Sequence, residues 1–179
     1  MTYQDIIDFW FEEIDPSLWF MKDDLFDQQI RRRFLDVFED VIAGKMFSWR
    51  KSPEGRLAEV IVLDQFSRNL FRDSAQAFAQ DDLALHLAKE AVRVGDDQRV
   101  PVVQRHFFYM PYMHSEDLKV HDEAVRLFSQ EGLENGLKFE LLHKKIIETY
   151  GRYPHRNKAL GRISTPAETE FLKQPGSAF

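Results

Sequence analysis

Three stretches gather the residues of this chain that could do chemistry. The first is Leu63-Asp64-Gln65-Phe66-Ser67-Arg68-Asn69-Leu70-Phe71-Arg72. Asp64 and Arg68 stand one helical turn apart inside an apolar run, so they share a face. An unpaired buried charge is very costly, so the two must meet each other or other polar partners. One reading is a buried ion pair that fixes helix register; the other is one wall of a polar pocket. The second stretch is His114-Ser115-Glu116-Asp117, with His121 one turn beyond Asp117. The third is Gly151-Arg152-Tyr153-Pro154-His155-Arg156-Asn157, where Gly and Pro shape a loop that presents donors. Arginine forks clamp carboxylate or phosphate in a planar geometry.

These types assign roles. Acid–base work falls to His114 or His155, aided by Glu116 or Asp117. Ligand binding falls to Asp64, Arg68, Asn69, Arg152, Arg156 and Asn157. The bland alternative is that the same donors tie down loops and helix ends. His114, Glu116, Asp117 and His121 are also metal-ligand types. There is no His-Glu-x-x-His motif, and the 117/121 pair is thin support, so no metal site is assigned. No cofactor is assigned either: phosphate-loop, dinucleotide and Gly-x-Ser-x-Gly motifs are all missing. Ser67 makes a poor nucleophile, because it faces away from Asp64 and no His is fixed nearby in sequence. His106, in an apolar helix, is expected to be a hydrogen-bonded core residue. His86 and His143 are expected in structural or surface roles.

The elements that position these groups are helices. A short apolar helix is expected over 2–12, with Thr2 as cap and Asp5 three residues on. Leu18-Trp19-Phe20-Met21 is an apolar plug expected to pack on the domain. Apolar residues at three- and four-residue steps predict a helix over 24–43. Arg31-Arg32-Arg33 fans around that helix, so it makes no flat basic face. Ser52-Pro53 starts the helix that carries Asp64 and Arg68. Apolar residues surround that helix, so protein should enclose it. Further helices are expected over 79–93 and 101–113, with Pro111 ending or kinking the latter. Ser115 is expected to cap the next helix, with Glu116 and Asp117 in its first turn. A helix over 136–150 follows. Thr165-Pro166-Ala167-Glu168 starts a short last one. No strand alternation is present. The expected fold is all-α: a compact single-domain antiparallel helical array over 1–174, with 175–179 a flexible tail.

Composition narrows the partners. The chain has 179 residues and a formal charge of −6, so no global basic field favours nucleic acid. It has no Cys, which removes disulfides, thiolate nucleophiles and Cys-ligated metals. No apolar run approaches the roughly 20 residues needed to span a bilayer, and no secretion signal opens the chain. The expectation is a cytoplasmic protein with neither nucleic acid nor membrane as partner.

The three stretches, in this order, resemble a bacterial family of unknown function. Its members are compact all-helical proteins of the tetratricopeptide-like superfamily. The resemblance covers nearly the whole chain, including Phe9-Trp10-Phe11 and Trp19-Phe20. The family often has Pro where this chain has Ser67. It implies a fold and no activity, so no catalytic residue carries over. A tetratricopeptide-like label would suggest peptide binding, but only by fold analogy.

The residues therefore support a polar inter-helical cleft for a small anionic or zwitterionic ligand, with acid–base turnover as an extension. The first alternative is a non-enzymatic adaptor for peptide or protein, using a surface with Trp19, Phe20 and Trp49. The second is a set of purely structural polar networks.

Overall fold

The computed structural model describes residues 1–178, which are helical throughout, with no strand among them. Helix α1 spans Tyr3–Asp8 and runs on as a π segment, Phe9–Glu13. The Thr2 amide donates to the Asp5 carboxylate at 2.6 Å and closes its first turn. A 3-10 turn, Pro16–Phe20, leads to α2, Asp24–Ile42, whose cap Asp23 accepts the Phe26 amide at 2.8 Å. Helix α3 begins at Pro53 with the Ser52 hydroxyl accepting the Gly55 amide at 3.1 Å. It is α-helical over Pro53–Ile61, π-helical over Val62–Phe66 and α-helical again over Ser67–Leu70.

A 3-10 turn, Ala75–Phe78, precedes α4, Asp81–Val94. Then come α5, Val102–Met113, α6, Leu118–Phe128, and α7, Glu134–Tyr150. Short connections fold α6 back on α5 and α7 back on α6. The last helix, α8, is Pro166–Phe171, closed by a reciprocal Thr165–Glu168 capping box. None of the helices among the described residues is long and apolar enough to cross a membrane.

Every residue of α3 from 57 to 67 is buried. Helices α1, α2, α4 and α5 all pack on it. Its inner face meets an aromatic cluster. Phe66 lies 5.1 Å from Phe34 and 5.6 Å from Trp10, ring centre to ring centre, and Phe9 lies 4.7 Å from Phe34. Offset and edge contacts of this kind add to the burial of the rings. Charged groups brought inside by α3 are paired. Glu59 takes both ends of the Arg50 fork at 2.7 and 2.6 Å.

Several local expectations are corrected. Pro111 does not end α5 at once; the helix continues to Met113, two residues beyond it. Ser115 and Glu116 lie before α6. The cap is Asp117, which accepts the Lys119 amide at 2.9 Å, while the Ser115 hydroxyl accepts the Asp117 amide at 3.1 Å. Trp49 is buried, edge-on to Tyr3, so it shares no exposed surface with Phe20. Trp19 is half-buried against Phe11 and Phe107. His143 is buried as well, with Nδ1 2.8 Å from the Phe139 carbonyl. Phe179 lies outside the described residues.

Phe66 joins the aromatic cluster to the site-bearing helix, and it is fully buried. Phe66→Ala is expected to cost about 3–5 kcal/mol of unfolding free energy, measured by chemical denaturation. A loss under about 1 kcal/mol would mean that the cluster does not hold α3 in place.

Candidate functional site

A cavity of about 700 Å³ opens beside the polar face of α3. Its walls come from α3, α5, α7, the Ala75–Phe78 turn, residues 19–22 and the loop around 153–156. Arg68, Arg72, Arg156 and Lys22 line it, and Asp73 is its one carboxylate among the lining residues. Four imidazoles also line it: His106, His114, His143 and His155. The carboxylates that balance the arginines sit behind them, away from the open space.

Asp64 is the deepest of these. It is fully buried in the π segment of α3. Its Oδ1 lies 2.7 Å from His114 Nδ1 and 3.3 Å from the Arg68 guanidinium, and its Oδ2 accepts from the Gln65 amide at 2.5 Å. Burial alone would raise its pKa, but His114 and Arg68 outweigh burial and bring it down to about 2. An ionised Asp64 accepts only, so His114 must donate its Nδ1–H. Nε2 is then the basic nitrogen of an imidazole that lines the cavity. Burial and the positive charge of Arg68 hold His114 below the usual histidine pKa, against the pull of Asp64. At neutral pH it is an oriented, uncharged base.

Asp81, in the first turn of α4, is shared by two guanidinium groups. Arg68 grips it with both ends of its fork, at 2.8 and 2.9 Å, and Arg156 reaches it at 3.2 Å. Asp81 and Asp64 keep Arg68 charged and raise its pKa despite burial. Arg156 is only 6% exposed. It donates to the His114 carbonyl at 2.9 Å and stacks over Phe78 and Tyr153 at 4.7 and 4.6 Å from the ring centres. Its Nε–H has no acceptor among the described residues. Burial and the neighbouring Arg68 push its pKa down from the usual arginine value, more than Asp81 restores it. It is a buried cation short of negative charge.

The other imidazoles are neutral too. Burial holds His106 at about 4, His155 at about 4 and His143 at about 3. Arg156 and Arg68 add to the effect at His155.

Of the residues singled out from sequence, Asp64, Arg68, Asn69, His114, His155 and Arg156 meet at this cavity or directly behind its wall. Asn69 lines it while donating to Asp27 at 2.8 Å. The other four stand elsewhere. Glu116 takes the Arg162 fork at 2.7 and 2.9 Å and the Tyr153 amide at 2.7 Å. Arg152 grips Glu168 at 2.7 and 2.9 Å. Asn157 is buried, accepting from Arg162 at 2.9 Å and donating to Ser164 at 3.1 Å. Asp117 is the exposed cap of α6. These groups hold the loop that delivers His155 and Arg156.

The metal-ligand types disperse in the same way. His121 pairs with Glu140 at 2.7 Å and faces the Ser115 carbonyl at 2.8 Å. No group of three or more such side chains among the described residues could hold a metal ion. Sequence reasoning missed Asp81 and gave His106 and His143 no place at the site. One signal was available for Asp81. Two buried arginines need more counter-charge than Asp64, already committed to His114, supplies.

The chain matches, over residues 6–176, the model of a family described as a bacterial protein of unknown function (DUF924). It is also similar to the solved structure of a protein of unknown function from Agrobacterium tumefaciens. The two are 39% identical, with a TM-score of 0.91 over 96% of each chain. None of the curated proteins matches.

Two measurements check the electrostatics. Asp64→Ala leaves Arg68 only Asp81, which Arg156 also claims, and removes the partner of His114, so it is expected to cost about 3–5 kcal/mol of stability by denaturant titration. A cost below about 1 kcal/mol would show that Asp64 does not anchor the site. The second is acid stability. Folded His106 takes its proton only near pH 4, against about 6.5 unfolded. Between those values the unfolded chain binds more protons, so stability falls as pH falls. His106→Gln is expected to recover about 1–2 kcal/mol of the stability that the wild type loses between pH 7 and pH 5. Parallel stability profiles for the two proteins would contradict this.

Proposed function

This chain belongs to that bacterial family of unknown function, and we propose that its central cavity binds a small anionic or zwitterionic ligand. Arg156 carries the reading. It is buried and, among the described residues, shares its only carboxylate partner with Arg68 and keeps an unpaired Nε–H. An anion in the cavity would supply the missing charge. The composition of the wall agrees, with arginines and imidazoles inward and their carboxylates behind. A cavity of this size suits a metabolite-sized molecule.

His114 extends the proposal to turnover. Its Nδ1–H is fixed by Asp64, and its neutral ring is suited to take a proton from a bound ligand and return it. The geometry selects no particular bond to break. The helices folded back on one another support a tetratricopeptide-like architecture as part of this reading, with the ligand held by a polar cavity in place of a peptide groove. The cytoplasm, where small anionic metabolites are abundant, is the compartment proposed for it.

The test is a thermal-shift screen with phosphorylated metabolites, amino and organic acids and short peptides. A selective small anion is expected to add about 2.7 kcal/mol of stability at a hundredfold excess over its Kd. Arg156→Gln is expected to melt cooperatively and to lose that shift. If no anion shifts the wild type, the reading falls. If peptides alone do, the chain is an adaptor.

A further inference from the structure

A second cavity, of about 390 Å³, adjoins the first. Trp19, Phe20, His106 and Asn135 line both, so the two cavities lie side by side and share these side chains as a common border. No charged residue lines the second cavity. Its walls include Val102, Val103, Phe107 and Leu133, with Gly132 and Gly136 beside them. The glycines permit close packing here. A Cβ at Gly136 would lie 2.6 Å from the Phe128 ring and 2.9 Å from His106 Nδ1, and one at Gly132 would lie 2.9 Å from Val102. His106, at the junction, is uncharged at neutral pH.

The pair of cavities is thus graded. One end holds the buried arginines; the other holds apolar side chains and neutral polar ones. Large apolar groups there face water: Phe20 is 63% exposed and Val103 49%. Apolar surface of this kind gains by being covered. A compact dianion would fill only the polar end. An uncharged hydrocarbon would leave Arg156 short of counter-charge.

We propose, resting on the anion reading above, that the ligand is amphipathic: a small anionic head group held at Arg68 and Arg156, with a hydrocarbon tail running past His106 and Phe20 into the cavity of Val102 and Val103. A carboxylate and a phosphate monoester offer the arginines the same oxygen acceptors, so either head fits this chemistry. The tail is the part that separates this ligand class from the small polar metabolites.

The experiment is isothermal titration of the full chain with acetate, hexanoate, octanoate and decanoate, alongside the matching alkyl phosphates and decanol. Each series is kept below its micelle concentration. Affinity is expected to rise with tail length by up to about fourfold per methylene, the equivalent of about 0.8 kcal/mol per buried CH₂. The series that binds more tightly at equal length identifies the head group. Val103→Asp, a change at a half-exposed position, is expected to flatten the length dependence and leave the shortest ligands unchanged. Arg156→Gln is expected to weaken every length alike. Binding that ignores tail length overturns this inference and leaves the anion reading standing. Decanol binding as tightly as both ten-carbon anions overturns the shared head site, and with it both readings. If hydrophobic peptides bind while none of the alkyl anions does, a peptide groove replaces both.

Discussion

A buried carboxylate sets the terms for the rest of this structure. Asp64 has no access to water and is still ionised, because Arg68 and His114 are held against it. Removing a carboxylate from water is costly by several kcal/mol, and only well-placed opposite charge and donors offset that cost. The need fixes other parts of the fold. Helix α5 must end where His114 reaches α3, and α4 must begin where Asp81 can take the second side of Arg68. The π segment of α3 lies at the same place. Such segments are strained departures from regular helix and recur at functional sites. Here Arg68 also donates to the Asp64 backbone carbonyl, at 2.9 Å, so side chain and main chain of one residue share a single cation.

The charges are layered. Asp64 and Asp81 stand behind Arg68, and Asp27 behind Arg72, where it takes both ends of that fork at 2.6 and 2.7 Å. The cavity therefore meets guanidinium groups and imidazoles first. A low-dielectric wall strengthens each of these fields. The arrangement also explains why so many histidines gather without becoming charged. Burial disfavours each imidazolium, and at His114 and His155 the neighbouring arginines disfavour it further. The positive potential comes from groups that keep their protons at neutral pH, while the imidazoles stay neutral.

The helices were legible because their signals are local. Apolar residues at three- and four-residue steps, Ser52-Pro53 and Thr165-Pro166 mark boundaries through forces that act within a few residues. Asp64 and Arg68 stood out for a related reason: charges inside an apolar run must find partners. The identity of the partners was not legible. Asp81 lies 13 residues from Arg68 and 75 from Arg156, and only the packing of α4 on α3 brings them together. The same limit explains Glu116, Arg152 and Asn157. Their types suit ligand binding, yet loops that lack regular backbone pairing need such side chains to satisfy them. Sequence shows that a residue is able to bind an anion; tertiary contacts decide whether a protein carboxylate already occupies it.

That distinction bears on the two arginines at the site. Arg152 is the one cation paired with Glu168 among the described residues and takes both of its oxygens. Arg156, four residues on, must share Asp81 with a second cation. Both lie in the same loop and have the same side chain, so neither chemistry nor local sequence separates them. Counter-charge does. A fold selected for stability alone would give Arg156 its own carboxylate or replace it with an apolar residue, since an under-neutralised buried charge lowers stability. Its retention beside Phe78 and Tyr153, facing a cavity with neutral His114 alongside, makes sense when the missing negative charge arrives with a ligand. In the proposed reading, binding completes a charge balance that folding leaves open, and the same balance would limit occupants to molecules that bring an anion with them.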